Sequence, residues 1–73
     1  MTKGEYRVGI DFNPSGDPVV GQLKRATADL IDLIEQISGP TAEVARLKAL
    51  AQTEIESAAH WAVKAATKKP MEG

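Results

Sequence analysis

The chain has 73 residues with no Cys and one His, and its 9 Lys and Arg stand against 10 Asp and Glu for a net charge of -1. That length allows one domain at most, the lack of Cys rules out disulfides and thiolate metal sites, and the near-neutral charge argues against a duplex-DNA binder, whose surface is strongly basic. No apolar run approaches the roughly 18 residues needed to span a membrane, and the N-terminus lacks the apolar core of a signal peptide, so the composition reads as a soluble cytoplasmic protein. Small folds usually need a disulfide, a metal or self-association to be stable, and here self-association is the option that remains.

In chain order, Met1 to Glu5 is polar and reads as a mobile start. Tyr6, Val8, Ile10 and Phe12 then alternate with Arg7, Gly9 and Asp11, a period of two that suggests an extended segment with one apolar face, either a short strand or an arm lying on a partner. Asn13-Pro14-Ser15-Gly16-Asp17-Pro18 is a turn-rich break. Asp17 is a favoured N-cap and Pro18 suits the first helical position, so a helix is expected over 18–38. Its apolar stripe is Val20, Leu23, Thr27, Leu30, Ile34 and Ile37, widened by Val19, Ala26, Ile31 and Leu33. Ser38-Gly39-Pro40 ends it, with Gly39 able to take a left-handed cap.

Thr41 can cap the next helix, and Glu43 suits its first turn. This longer helix is expected over 41–67, with the stripe Val44, Leu47, Ala51, Ile55, Ala58, Ala62 and Ala65, and with Leu50 and Trp61 beside it. The run Ile55 to Ala66 holds the only Trp and the only His among many alanines, which is the composition of a helix packed closely against another. Lys68-Lys69-Pro70 ends the helix, and a mobile tail is expected over 68–73. The short connection implies an antiparallel helical hairpin. The reading is therefore a single all-α domain over 1–73, a two-helix hairpin with an extended or helical N-terminal arm over 1–17. Both stripes are wider than one partner helix can cover, so the chain should assemble as a homo-oligomer.

Candidate chemistry is sparse. Asp29, Asp32 and Glu35 line one side of the first long helix, where a solvated outer face explains them better than acid/base catalysis or a bound divalent ion. Glu56, His60 and Lys64 stack at spacings of four, but no third or fourth ligand is near, so an exposed ladder is expected and not a zinc site. No catalytic set, metal site or cofactor motif stands out. Lys24-Arg25 lies soon after Phe12. An aromatic face near cations can stack on a base and meet its phosphate, while the alternative is a solvated pair with Phe12 buried as a staple.

The order Ile10-Asp11-Phe12-Asn13-Pro14, a capped amphipathic helix, a Gly-Pro break, and Ala51-x-Thr53-x-Ile55-Glu56-x-Ala58-x-x-Trp61-Ala62 resembles the small phage anti-CBASS type 2 proteins, which are cyclic-oligonucleotide sponges. The resemblance covers about Ile10 to Ala66 and is strongest at Glu56-x-Ala58-x-x-Trp61-Ala62. It implies a homohexamer, a trimer of dimers, that binds cyclic dinucleotides such as 3′,3′-cGAMP, and in many members cyclic trinucleotides, without cleaving them. It places the activity in the cytoplasm of an infected bacterium, with no DNA or membrane partner. By resemblance the stacking aromatic is Phe12 and the phosphate cation is Arg25 or Lys24, with Asn13 and Thr27 as adjacent polar candidates. Family members commonly carry Tyr where Phe12 stands, so the stacking face is kept and the hydroxyl is lost. They tend to carry Asn where this chain has Val63. The oligomer interface is assigned to Leu50, Ile55, Ala58, Trp61, Ala62 and Ala65, with Trp61 as an anchor of the assembly. The competing reading is a helical protein-interaction module with no small-molecule ligand.

Overall fold

Three helices carry the chain: α1 (Lys3–Val8), α2 (Pro18–Glu35) and α3 (Ala42–Thr67). The computed structural model describes residues 1–71, among which there is no strand; the last two residues of the expected tail lie outside the described residues.

The N-terminal segment departs from the alternating pattern. Thr2 caps α1 through a reciprocal box: its hydroxyl accepts from the Glu5 N–H at 3.1 Å, and the Glu5 carboxylate accepts from the Thr2 N–H at 2.8 Å. Gly9, in the left-handed region at φ 63°, closes the helix, and the Gly9 and Ile10 amides donate to the Tyr6 and Glu5 carbonyls. The alternation from Tyr6 to Phe12 therefore straddles a helix end and is not a strand. Nor is the start a free tail, because Gly4 is buried.

Helix α2 begins as its sequence suggests, with the Asp17 carboxylate accepting from the Val19 N–H at 2.8 Å and Pro18 at the first position. It ends at Glu35, before the expected Ser38. The Gln36 and Ile37 amides turn back to the Leu33 and Ile34 carbonyls, tightening the last turn. Gly39 is not a left-handed cap, since the positive-φ glycines are Gly9 and Gly16. Its smallness matters for another reason: a Cβ there would fall 2.8 Å from a Val44 methyl. The Thr41 hydroxyl accepts from the Val44 N–H at 3.3 Å and starts α3, whose 26 residues extend for about 39 Å.

Packing uses few residues. Val20, Ala28 and Ile31 are the buried apolar side chains among the described residues, and Gln52 is the buried polar one. Helix α1 reaches α2 at a close backbone approach of Gly4 to Ala28. Gln52 of α3 donates to the Ile31 carbonyl at 3.1 Å and to the Glu35 carboxylate at 2.9 Å, and Lys48 donates to the Glu35 carbonyl at 3.0 Å. Leu23, Ala26, Thr27 and Leu30 share an apolar trough with Ile55, Ala58, Ala59 and Ala62, and Ile34 and Ile37 share another with Val44, Leu47 and Ala51. The predicted stripes of the two long helices therefore do face each other. Much apolar surface stays open: Leu33 and Trp61 are 60% and 67% exposed.

Candidate functional site

The segment from Gly9 to Asp17 is a hydrogen-bonded turn that presents Phe12. The Phe12 N–H donates to the Gly9 carbonyl at 2.9 Å, and the Gly16 N–H to the Asn13 carbonyl at 3.1 Å. The Asn13 amide donates to the Asp17 carbonyl at 3.1 Å, and its oxygen accepts from the Ser15 hydroxyl at 2.9 Å. Asn13 thus supports the turn. Phe12 projects with 70% of its surface exposed, so it is not a buried staple.

Lys24 comes to this turn from α2. Its Nζ donates to the Gly9 carbonyl at 3.0 Å and to the Phe12 carbonyl, and it sits 5.3 Å from the Phe12 ring centroid. That is within cation–π range. Arg25, the next residue, turns to carboxylates: Nη1 donates to Glu5 at 2.9 Å, while Nε and Nη2 donate to Asp29 at 3.1 and 2.8 Å. The Thr2 backbone N–H, and after it Arg25, hold the Glu5 carboxyl down at about 2, and Glu5 and then Asp29 push the Arg25 guanidinium up. Of the five guanidinium donors, these bonds leave two. The Thr27 hydroxyl donates to the Leu23 carbonyl at 2.7 Å, within its own helix, and the residue lines the trough between α2 and α3. The five candidates therefore have three different sets of partners. Phe12, Asn13 and Lys24 belong to the turn, Arg25 to a charge cluster with α1, and Thr27 to the trough.

The two expected polar rows are largely exposed, and three of their members, Asp32, Glu35 and Glu56, also hold α1. Asp32 accepts from the Gly4 N–H at 2.7 Å, and Glu35 pairs with Lys3 at 2.7 Å. The Gln52 amide, and after it Lys3, lower the Glu35 carboxyl to about 2. Glu56 takes two donors from Arg7, Nε at 3.2 Å and Nη2 at 2.8 Å, and so does not simply ladder with His60. His60 is exposed beside a shallow hollow that Lys24, Val8 and Val63 also line. Among the described residues there is no group of three or more His, Cys, Asp or Glu that could hold a metal ion, and no helix long and apolar enough to cross a membrane.

Of the residues assigned to an interface, Ile55, Ala58 and Ala62 line the trough facing α2. Leu50, Trp61 and Ala65 are exposed, and Lys64 lies 5.5 Å from the Trp61 ring centroid. The sequence reading missed Gln52, Arg7 and Glu5. Glu5 had a local signal in the Thr2-x-x-Glu5 capping box. Gln52 had a weaker one, as a polar residue three positions before Ile55 and so near the packed face.

The family model of the Acb2/Tad1 hairpin domain matches residues 4–67. No curated protein and no solved structure matches the chain.

Proposed function

The chain belongs to the Acb2/Tad1 hairpin family, the anti-CBASS type 2 family, and from that premise we propose that it binds and sequesters cyclic dinucleotide signals, blocking CBASS antiphage signalling without cleaving the ligand. The match over residues 4–67 carries this reading. The exposed Phe12 ring supports a site at the turn, since an aromatic face can stack on either base of a cyclic dinucleotide. Asn13 shapes the turn beneath the ring, and Arg25 or Lys24 supplies the cation for phosphate. Thr27 is assigned a polar contact reached through the trough that it lines.

The assembled form is a homohexamer of antiparallel hairpins, a trimer of dimers. Two observations support the antiparallel hairpin and its self-association, while the count of six follows from the family. Contacts between the long helices run in opposite directions along the chain, with Lys48 near Glu35 and Gln52, further along α3, near Ile31, earlier in α2. The accessible surface is 5362 Å², against about 4400 Å² for a typical monomer of this mass. A cyclic dinucleotide is nearly twofold symmetric, and a twofold interface supplies two aromatic rings and two cations. A cyclic trinucleotide suits a threefold axis in the same way.

Calorimetric titration against a panel of cyclic di- and trinucleotides tests the reading. Binding of at least one cyclic dinucleotide, with recovery of intact ligand after denaturation, is the expected result. Phe12→Ala combined with Arg25→Ala should weaken binding by about a hundredfold, the sum of a lost stack and a lost charge contact, while the assembly keeps its size on a chromatographic column. No binding at tens of micromolar by the intact chain leaves the protein-interaction module, for which the exposed Leu33, Leu47 and Leu50 provide the surface.

A further inference from the structure

Lys24 and Arg25 are equivalent as charges in the sequence but have different surroundings. The Lys24 ammonium donates to the carbonyls of Gly9 and Phe12, and the Phe12 ring stands 5.3 Å away. An ammonium has three N–H donors and no acceptor, so two are committed to the backbone of the turn. The Gly9 carbonyl also accepts the Phe12 N–H at 2.9 Å. The Gly9 and Phe12 carbonyls thus converge on one α2 side chain, which is half-buried while the Phe12 ring beside it is exposed. Arg25 instead bonds to carboxylate side chains, which can rotate away, and it keeps free donors.

We propose that Lys24 is a positioning residue that seats the Phe12 ring for stacking, with its ammonium committed to the turn and not to ligand phosphate. The inference rests on the reading of Phe12 as the base-stacking face. A ring held in place before the ligand arrives need not be immobilised on binding, so removing the seat lowers affinity by raising the ordering cost. A cation that pairs with phosphate has a different signature, because its contribution is screened by salt.

Two measurements decide between these roles. The first uses no ligand and follows amide hydrogen exchange in the native chain, Lys24→Met and Lys24→Arg. Lys24→Met keeps the length of the side chain and loses the donors, so the Phe12 amide should exchange at least severalfold faster. Lys24→Arg, which can still donate to carbonyls, should recover most of the protection. An unchanged Phe12 amide in Lys24→Met overturns the proposal. The second titrates 3′,3′-cGAMP at about 50 mM and about 500 mM salt. Lys24→Met should bind about tenfold more weakly at both, keeping the native ratio between the two salts. A loss confined to low salt would mark Lys24 as a phosphate contact and overturn the seat. If the native chain does not bind, the sponge reading fails while the exchange measurement still judges Lys24.

Discussion

Gly4 has less room for a Cβ than Gly9, Gly16, Gly21 or Gly39. Its N–H donates to Asp32 at 2.7 Å, and a Cβ added to it would fall 2.1 Å from the Ala28 carbonyl oxygen and 2.8 Å from the Ala28 carbonyl carbon. These are backbone atoms, so no rotamer change relieves the clash and α1 must move. Overpacking of this kind costs about 1–3 kcal/mol. A helix of six residues has little stability of its own. Gly4→Ala is therefore expected to lift α1 from α2 and leave the hairpin helical. Trypsin should then cut after Arg7 much faster than in the native chain, with little change in helical circular dichroism; unchanged cleavage would show that the contact has slack. None of this was legible in the sequence, where a glycine near the N-terminus reads as flexibility. Its meaning comes from Ala28, far along the chain. Gln52 was hidden for the same reason, since its partners Lys3, Ile31 and Glu35 lie on two other helices. The exposure of Phe12 was not settled by the sequence either, where a stacking face and a buried staple both fitted; the hydrogen bonds of the turn and the reach of Lys24 from α2 decide it.

Among the elements, α1 is held differently from the other two. Helices α2 and α3 meet through apolar stripes whose spacing is local, as are the Asp17 and Thr41 caps; that is why both could be placed from sequence. Helix α1 is attached through charge, by Lys3 to Glu35, Arg7 to Glu56, Arg25 to Glu5, and the Gly4 amide to Asp32. Its Tyr6 is 77% exposed. Apolar periodicity cannot reveal an element fastened in this way, and the alternation of Tyr6, Val8, Ile10 and Phe12 suggested an extended segment. The acid sensitivity of the fastening follows from Glu5 and Glu35, each lowered from the usual 4.5 to about 2. A carboxyl with a depressed pKa in the folded state adds stability that is full above its unfolded value and disappears as pH falls through the folded one. Between about pH 4.5 and pH 2, α1 should therefore detach first. Amide exchange across Lys3–Val8 should rise through that window while the middle of α3 stays protected. Simultaneous loss of both would show that α1 and the hairpin unfold as one unit.

For the molecule as a whole, the chain measures 55 × 26 × 13 Å, with a radius of gyration of 14.5 Å against about 11 Å for a compact domain of this length. So thin a body encloses little, and the buried set among the described residues is correspondingly small: Gly4, Val20, Ala28, Ile31 and Gln52. The apolar stripe that the sequence left over is left over in the fold too, at Leu30, Leu33, Ile37, Leu47, Leu50 and Trp61, each at least 44% exposed. The expectation of an assembly rests on this surplus, and Trp61 is its sharpest test. A Trp that anchors an interface contributes about 2 kcal/mol or more when truncated, roughly a thirtyfold weaker association per contact. If Trp61 packs between copies, Trp61→Ala should shift light-scattering mass downward at a concentration where the native chain is fully assembled. Its melting temperature should also become more dependent on protein concentration, as mass action requires when folding and association are coupled. Cyclic dinucleotide binding should fall with the assembly and return when concentration restores it. If Trp61→Ala keeps the native mass yet loses binding at every concentration, Trp61 touches the ligand, and the division of labour between the Trp61 helix and the Phe12 turn is reversed.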